Sequence, residues 1–239
     1  MDRRITLTQE QLDLIERFIT AYNTVDHDLR ERLSADNGVP FSQLIRDFAA
    51  RYPRWTDQET LRMLGDLRNA VVHQREQVYE YLSVPVPAVV ETMERIRDEF
   101  ESPQRVYPQF ARDVFTFEAE SRLTDVLRQI DTKGFSQFPI YRRGKFMGLL
   151  TENGITRWLA EHTTHVMTLI ELEEVTALEV LDREEPRMNC KFIPRETTEI
   201  DAENFFVHNS LLEALLITHT GKSEEKLLGI ITRWDVLKM

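Results

Sequence analysis

The sequence predicts an α+β protein, in which an all-α helical bundle is followed by a tandem pair of β-α-β-β-α units. Apolar residues recur at helical spacing through residues 1–104, whereas residues 105–239 mix helical and strand periods. The second part also repeats itself, because residues 148–151 (GLLT) return as residues 229–232 (GIIT). A repeat of this size indicates two copies of one supersecondary unit. We place the copies at about 105–165 and 166–239.

Composition and charge limit the class of protein. The 239 residues are 41% hydrophobic and 30% charged, as in an ordinary globular protein. A single cysteine, Cys190, excludes an internal disulfide framework and suits a reducing compartment. No apolar run approaches the roughly 20 residues of a membrane helix, so we expect a cytoplasmic protein without a membrane partner. The net charge of −11 argues against broad, non-specific binding of nucleic acid.

Capping signals and prolines divide the first 104 residues into helices. Thr8 and Gln11 fit a capping box, and Thr56 with Glu59 fits a second one. Ser42 is the expected cap of a shorter helix between them. The predicted helices cover residues 8–34, 42 to about 53, 56 to about 82, and 88–100.

The third predicted helix carries Arg68, Asn69 and His73. Arg followed by a polar residue, three more residues and His resembles the signature of the HEPN superfamily, and the helix order over residues 1–104 is similar as well. The resemblance implies a dimer, with either a metal-independent ribonuclease site or an inactive binding module. Five residues at about 100° each place Arg68 and His73 about 140° apart on one helix. A twofold partner would therefore be needed to bring one protomer's Arg near the other's His.

The same three residues also have a non-functional interpretation. An exposed His on a polar helix face is usually only solvated, and an Arg at the edge of an apolar stripe usually extends its head to water or forms an ion pair. If the ribonuclease interpretation holds, His73 acts as general acid or base on RNA and Arg68 stabilises phosphoryl charge.

Both copies in the second part are predicted to have the same element order. A Ser121 cap opens the first helix and Gly134 ends it. The first copy is expected to have strands at 114–117, 137–141 and 146–150, with helices at 122–134 and 152–161. The second copy is expected to have strands at 191–193, 214–218 and 227–232, a helix at 199–206 and a short final helical turn.

This repeated pattern resembles a tandem pair of CBS domains. In that family a Thr/Ser-x-x-Asp sequence after the glycine strand binds adenosine nucleotides, with the hydroxyl on phosphate and the carboxylate on ribose hydroxyls. The second copy keeps both groups as Thr232 and Asp235, whereas the first has Thr151 followed by Gly154. We therefore expect one competent site at Thr232 and Asp235, with Arg233 as a phosphate contact, and a degraded site at Thr151. The alternative role of Thr232 and Asp235 is to cap a short helix.

Our leading hypothesis is a cytoplasmic regulator that senses an adenine nucleotide (AMP, ADP or ATP) or S-adenosylmethionine and biases a dimeric HEPN-like domain. The first alternative is a nucleotide-regulated ribonuclease that uses Arg68, Asn69 and His73 on RNA. The second alternative is a non-catalytic homodimerisation module. No zinc spacing or phosphate loop is present, so no metal is expected. The sequence ends at Met239, soon after the second motif, so either the chain continues or a partner packs there.

Overall fold

The computed structural model describes residues 7–72, 83–162, 169–183 and 189–237. The chain divides into two compact units, Met1–Gln104 and Arg105–Met239. Within the described residues, no helix combines the length and the apolar character needed to cross a bilayer.

The first unit is helical over its described residues, as predicted. Its helices are α1 (Gln9–Leu33), α2 (Phe41–Arg51), α3 (Gln58–Val72) and α4 (Pro87–Glu101). Thr8 forms the predicted capping box with Gln11. The Ser42 cap is wrong, because α2 begins at Phe41 and Pro40 is its N-cap. Residues 73–82, predicted to extend α3, lie outside the described residues.

An aromatic cluster and ion pairs between helices hold this unit together. The ring of Phe48 lies 4.6, 4.9 and 5.3 Å from the rings of Tyr52, Trp55 and Phe100. Tilted and edge-to-face contacts of this kind add to the free energy of apolar burial. Arg17 on α1 also pairs with Glu94 on α4, at 2.6 Å. Three apolar residues of α3, Leu61, Leu64 and Val71, are buried.

The second unit alternates strands and helices. Its elements in chain order are α5 (Val106–Gln109), β1 (Phe117–Glu118), α6 (Leu123–Lys133), β2 (Gln137–Arg142), β3 (Lys145–Thr151), α7 (Glu152–His162), α8 (Leu169–Glu174), α9 (Ala177–Leu181), β4 (Cys190–Pro194), α10 (Glu199–His208), β5 (Ala214–Thr218), β6 (Gly229–Thr232) and α11 (Arg233–Val236).

Two sheets of identical topology carry the repeat. In one, β2 pairs parallel with β1 and antiparallel with β3; in the other, β5 pairs parallel with β4 and antiparallel with β6. The register is equivalent too, since Gly148 lies opposite Ile140 and Gly229 lies opposite Ile217. Mixed α and β structure in this part of the chain is therefore confirmed.

Three local predictions in the first repeat have different outcomes. Gly134 ends α6 in the left-handed conformation, with φ of 67°, as expected. The Ser121 cap is wrong, because the N-cap of α6 is Arg122 and makes no side-chain cap bond. The first strand starts at Phe117 and not at residue 114, because only Phe117 and Glu118 reach partners on β2.

Two chain segments, one in each repeat, pack on the core of the other repeat. Val106 is buried with Ile193 and Phe206 of the second repeat, and its N–H donates to the carbonyl of Thr197 at 2.9 Å. Conversely, Ala177 is buried with Phe138 of the first repeat. We call residues 105–112 and 175–181 the exchanged segments.

The two sheets are also joined directly. Leu149 of the first sheet shares one buried cluster with Ala214, Leu216 and Ile230 of the second. The amide of Asn189, which is buried, donates to the carbonyl of Leu149 at 2.9 Å. This hydrogen bond satisfies a polar group that would be costly to bury unpaired.

The equivalent glycines of the repeat provide a matched test of the exchanged segments. A Cβ on Gly229 would collide with the backbone carbonyl oxygen of Phe110, whereas a Cβ on Gly148 would approach the Leu181 side chain at 3.0 Å. Backbone moves less readily than the end of a side chain. We expect Gly229→Ala to lower the free energy of unfolding by about 1–3 kcal/mol and Gly148→Ala to lower it less, as measured by urea unfolding. Equal losses would contradict this packing.

Candidate functional site

The predicted pair Thr232 and Asp235 is brought together at the start of α11. Thr232 donates to the Oδ2 atom of Asp235 through its N–H (2.7 Å) and its hydroxyl (2.9 Å). Thr232 is the N-cap of α11 and Asp235 is its third residue, so these bonds belong to the cap of the helix N-terminus. The carboxylate therefore has a structural role in this fold.

Arg112 supplies a third donor to this carboxylate, which the sequence interpretation missed. Its Nη2 atom lies 2.7 Å from Oδ2 of Asp235 and also donates to the carbonyl of Ile230. Arg112 belongs to an exchanged segment and is 123 positions from Asp235, so no local motif links the two. Burial alone would raise the pKa of Asp235, but hydrogen bonds from Thr232 and Arg112 outweigh it and lower the pKa.

Arg233 follows the cap but is directed elsewhere. Its Nη2 atom donates to the carbonyl of Asn209 at 2.8 Å. Its guanidinium lies 5.6 Å from the centre of the Phe206 ring. These contacts hold Arg233 against α10 and its C-terminal end. A phosphate contact of Arg233 stays a prediction.

Thr151, at the end of β3, lines a cavity of about 400 Å³. Thr151 is buried, and its hydroxyl accepts a hydrogen bond from the N–H of Gly154 at 3.1 Å. The cavity lies at the beginning of α7, at the positive end of the helix dipole. The N–H groups of Glu152 and Gly154 there donate to the Ser136 carbonyl and to the Thr151 hydroxyl. This position favours a negatively charged ligand group.

Both repeats contribute walls to this cavity. The first repeat contributes Arg157 on α7, and the second contributes Asn189 and Glu213, which flank β4 and β5. A guanidinium can bind phosphate, while a carboxylate can accept hydrogen bonds from hydroxyl or amino groups. The cavity therefore combines cationic and anionic recognition groups.

Sequence interpretation did not single out Arg157, Asn189 or Glu213. The repeat itself offered one signal for Glu213. It directly precedes β5, and its equivalent 77 positions earlier, Ser136, directly precedes β2. Arg157 and Asn189 carry no signal in the repeat, because their importance comes from the packing of one copy on the other.

In the helical unit the structure brings together Arg68 and Asn69 on one cavity of about 470 Å³. The guanidinium of Arg68 lies 5.3 Å from the centre of the Tyr22 ring, and Asn69 is exposed. His73 lies outside the described residues. The catalytic set Arg68, Asn69 and His73 therefore stays a prediction. Among the described residues, no group of three or more His, Cys, Asp or Glu side chains could hold a metal ion.

Comparison with known families agrees with the prediction for the first repeat. Residues 110–161 match the family model of the CBS domain. This stretch contains β1, α6, β2, β3 and nearly all of α7, and thus Thr151 and Arg157. Among curated proteins, none matches the chain.

Solved structures of CBS proteins resemble parts of the chain. A Methanocaldococcus jannaschii protein, proposed as an archaeal homolog of g-AMPK, is 23% identical with a TM-score of 0.44, over 61% of this chain and 51% of its own. The chain thus spans about half the length of that protein. CbpB in complex with c-di-AMP is 20% identical with a TM-score of 0.43, over 60% of this chain and 90% of its own.

A third similar structure is the CBS domain of a CBS domain containing membrane protein from Sphaerobacter thermophilus. It is 17% identical with a TM-score of 0.45, over 63% of this chain and 96% of its own. Because these scores are below 0.5, we base the CBS assignment of residues 110–161 on the family model alone.

The capping role of Asp235 leads to a prediction about pH. The pKa of Asp235 is lowered in the folded state, so its carboxylate stabilises the fold above its unfolded-state pKa of about 3.9. We expect Asp235→Asn to lower the free energy of unfolding by about 1 kcal/mol at pH 7. This difference should shrink below pH 4 and vanish beneath the folded-state pKa.

The measurement is urea unfolding of both proteins from neutral to acidic pH. Asp131→Asn, at an exposed position of α6, removes the same charge and should leave stability nearly unchanged. A difference between wild type and Asp235→Asn that persists at the acid end would contradict the stabilising role of the ionised carboxylate.

Proposed function

We propose that the second unit is a regulatory module that binds an adenine-containing ligand: AMP, ADP, ATP or S-adenosylmethionine. The observation that carries this proposal is the cavity at Thr151, which lies where a strand meets a helix N-terminus. The residues of the first repeat that line this cavity fall within the stretch that matches the CBS domain model. The resemblance of residues 105–239 to a CBS pair supports the choice of an adenosyl ligand.

We assign the main ligand site to the Thr151 cavity. Phosphate would lie at the beginning of α7, with Arg157 as its cationic partner. Glu213 on the second repeat would accept hydrogen bonds from the nucleoside. The first repeat has Gly154 at the position equivalent to Asp235 and therefore has no carboxylate there to accept them. A ligand there contacts both repeats and is therefore sensitive to how they pack.

Thr232 and Asp235 form the second proposed site. Here a ribose diol would have to replace Arg112 and Thr232 as donors to the Asp235 carboxylate. Breaking a charge-assisted hydrogen bond opposes binding, so we expect weaker binding at this site than at the Thr151 cavity.

The regulatory step is a bias on the helical unit, proposed to be HEPN-like and dimeric. Ligand can exert such a bias only if it binds one arrangement of the protein more tightly than another. The alternative, a ribonuclease, is tested by RNA cleavage with wild type and His73→Ala. Cleavage lost in the variant would support the enzyme, whereas no cleavage by the dimeric wild type would favour a binding or scaffolding module.

The ligand proposal is tested by calorimetric titration of the full chain with AMP, ATP and S-adenosylmethionine. We expect binding of at least one of them, and a loss of about 10- to 100-fold in affinity for Arg157→Gln, because a hydrogen bond to a charged group is lost. Thermal shifts with the same ligands provide an independent readout.

Two matched variants assign the site. Arg128→Gln removes an exposed arginine of the same repeat that pairs with Asp125 and should keep the affinity. Asp235→Asn should affect only the weaker site. Binding to none of the three ligands would overturn the proposed function, and a main loss with Asp235→Asn would move the principal site to the second repeat.

A further inference from the structure

The cavity in the helical unit is independent of the nucleotide proposal. It measures about 470 Å³ and is formed by α1, α3 and the residues that open α2. Its walls include the Tyr22 ring, Arg68 and three asparagines, Asn23, Asn37 and Asn69. The cavity is thus the size of a small metabolite and carries several polar groups.

All but one of the charged groups along this cavity already have partners. Asp26 receives two hydrogen bonds from Arg30, at 2.8 and 2.9 Å, and Arg30 also donates to two carbonyl oxygens. Arg62 is shared by Glu59 at 2.6 Å and Asp66 at 3.7 Å. These groups are therefore engaged by the protein itself.

Arg68 is the exception within the described part of the chain. Its Nε atom is buried without a hydrogen-bond partner, and its guanidinium lies against the Tyr22 ring. Buried polar groups are nearly always paired, by protein, water or ligand. Guanidinium has five N–H donors and no acceptor, so the missing partner is an acceptor.

We propose that this cavity binds the oxyanion of a small molecule, a carboxylate or a phosphate group, through the guanidinium of Arg68. The flat fork of N–H groups suits the paired oxygens of either anion. The guanidinium lies 5.3 Å from the centre of the Tyr22 ring, a cation–π contact, and Arg68 lines the cavity.

Tyr22 also supports an anion by its protonation state. Burial, followed by the charge of Asp26, raises the pKa of Tyr22 to about 12. The ordinary pKa of about 10 already keeps a tyrosine hydroxyl neutral at physiological pH, so Tyr22 adds no negative charge that would compete with a bound anion. Together with the asparagine amides, it offers neutral hydrogen-bonding groups to the rest of the ligand.

The test observes the N–H at Nε of Arg68 directly, by proton–nitrogen NMR of the full chain. Its resonance is assigned by its absence in Arg68→Lys. The probes are inorganic phosphate and succinate, with sodium chloride of equal ionic strength as the reference. We expect a saturable shift of this resonance with phosphate, succinate or both, and the responding probe identifies the anion class.

Variants separate a direct contact from a general effect of charge. Arg68→Lys keeps the charge but loses the fork, and we expect about tenfold weaker binding, followed through the backbone amide of Asn69. Arg97→Gln removes an arginine of α4 that pairs with Asp98 and does not line the cavity, and it should change the affinity less than twofold.

The outcome is distinguishable from that of the nucleotide proposal. The response at Arg68 should persist in Arg157→Gln, whose substitution lies in the other unit. No saturable shift with either anion, or the same shift with chloride alone, would overturn the anion site. An equal loss of affinity in Arg97→Gln and Arg68→Lys would also overturn it, because a general effect of charge would then explain the binding.

Discussion

The reciprocal packing of the exchanged segments is the constraint on which the second unit depends. Residues 105–112 complete the core of the second repeat, and residues 175–181 complete the core of the first. Neither repeat buries its apolar face with its own contiguous sequence. Each segment also crosses the glycine strand of the repeat that it covers, at Gly229 and Gly148, where a side chain would obstruct its approach. The small residue of the GLLT and GIIT sequences thus has a packing role that both copies share.

The same packing makes the two threonine sites unlike each other. At Thr232, an exchanged segment delivers Arg112 to the Asp235 carboxylate, which then serves the cap of α11 and an ion pair. At Thr151 no aspartate follows, and Gly154 lines a cavity that the opposite repeat closes with Asn189 and Glu213. Asp235, which resembles a ligand contact, is therefore bonded to the protein itself. The first copy has no such carboxylate and has a cavity at this position.

In the helical unit, local sequence signals predicted the helices but not the surroundings of Arg68. Helix spacing and the capping box of Thr8 predicted the helices well, because both signals act within a few residues along the chain. Ser42 and Ser121 failed as caps, since the choice of N-cap depends on where the preceding chain enters the helix. The sequence predicted Arg68 at the edge of an apolar stripe, where it extends to water, forms an ion pair or belongs to a composite dimer site. Its cation–π contact with Tyr22 and its buried, unpaired Nε follow from the placement of α1 against α3, which a local sequence pattern does not contain.

The sequence by itself determined the helical first part, the repeat with the equivalence of Gly148 and Gly229, and the strand and helix order within each copy, but not the short helices α5, α8 and α9. Periodicity, turn residues and internal similarity are local properties and can be counted along the chain. Tertiary structure alone decided which side chains far apart in the sequence share a site. Arg112 reaches Asp235 over 123 positions, and Glu213 faces the cavity of Thr151 from the other repeat. Such encounters depend on how whole elements pack to bury apolar surface, and that packing is a property of the folded chain.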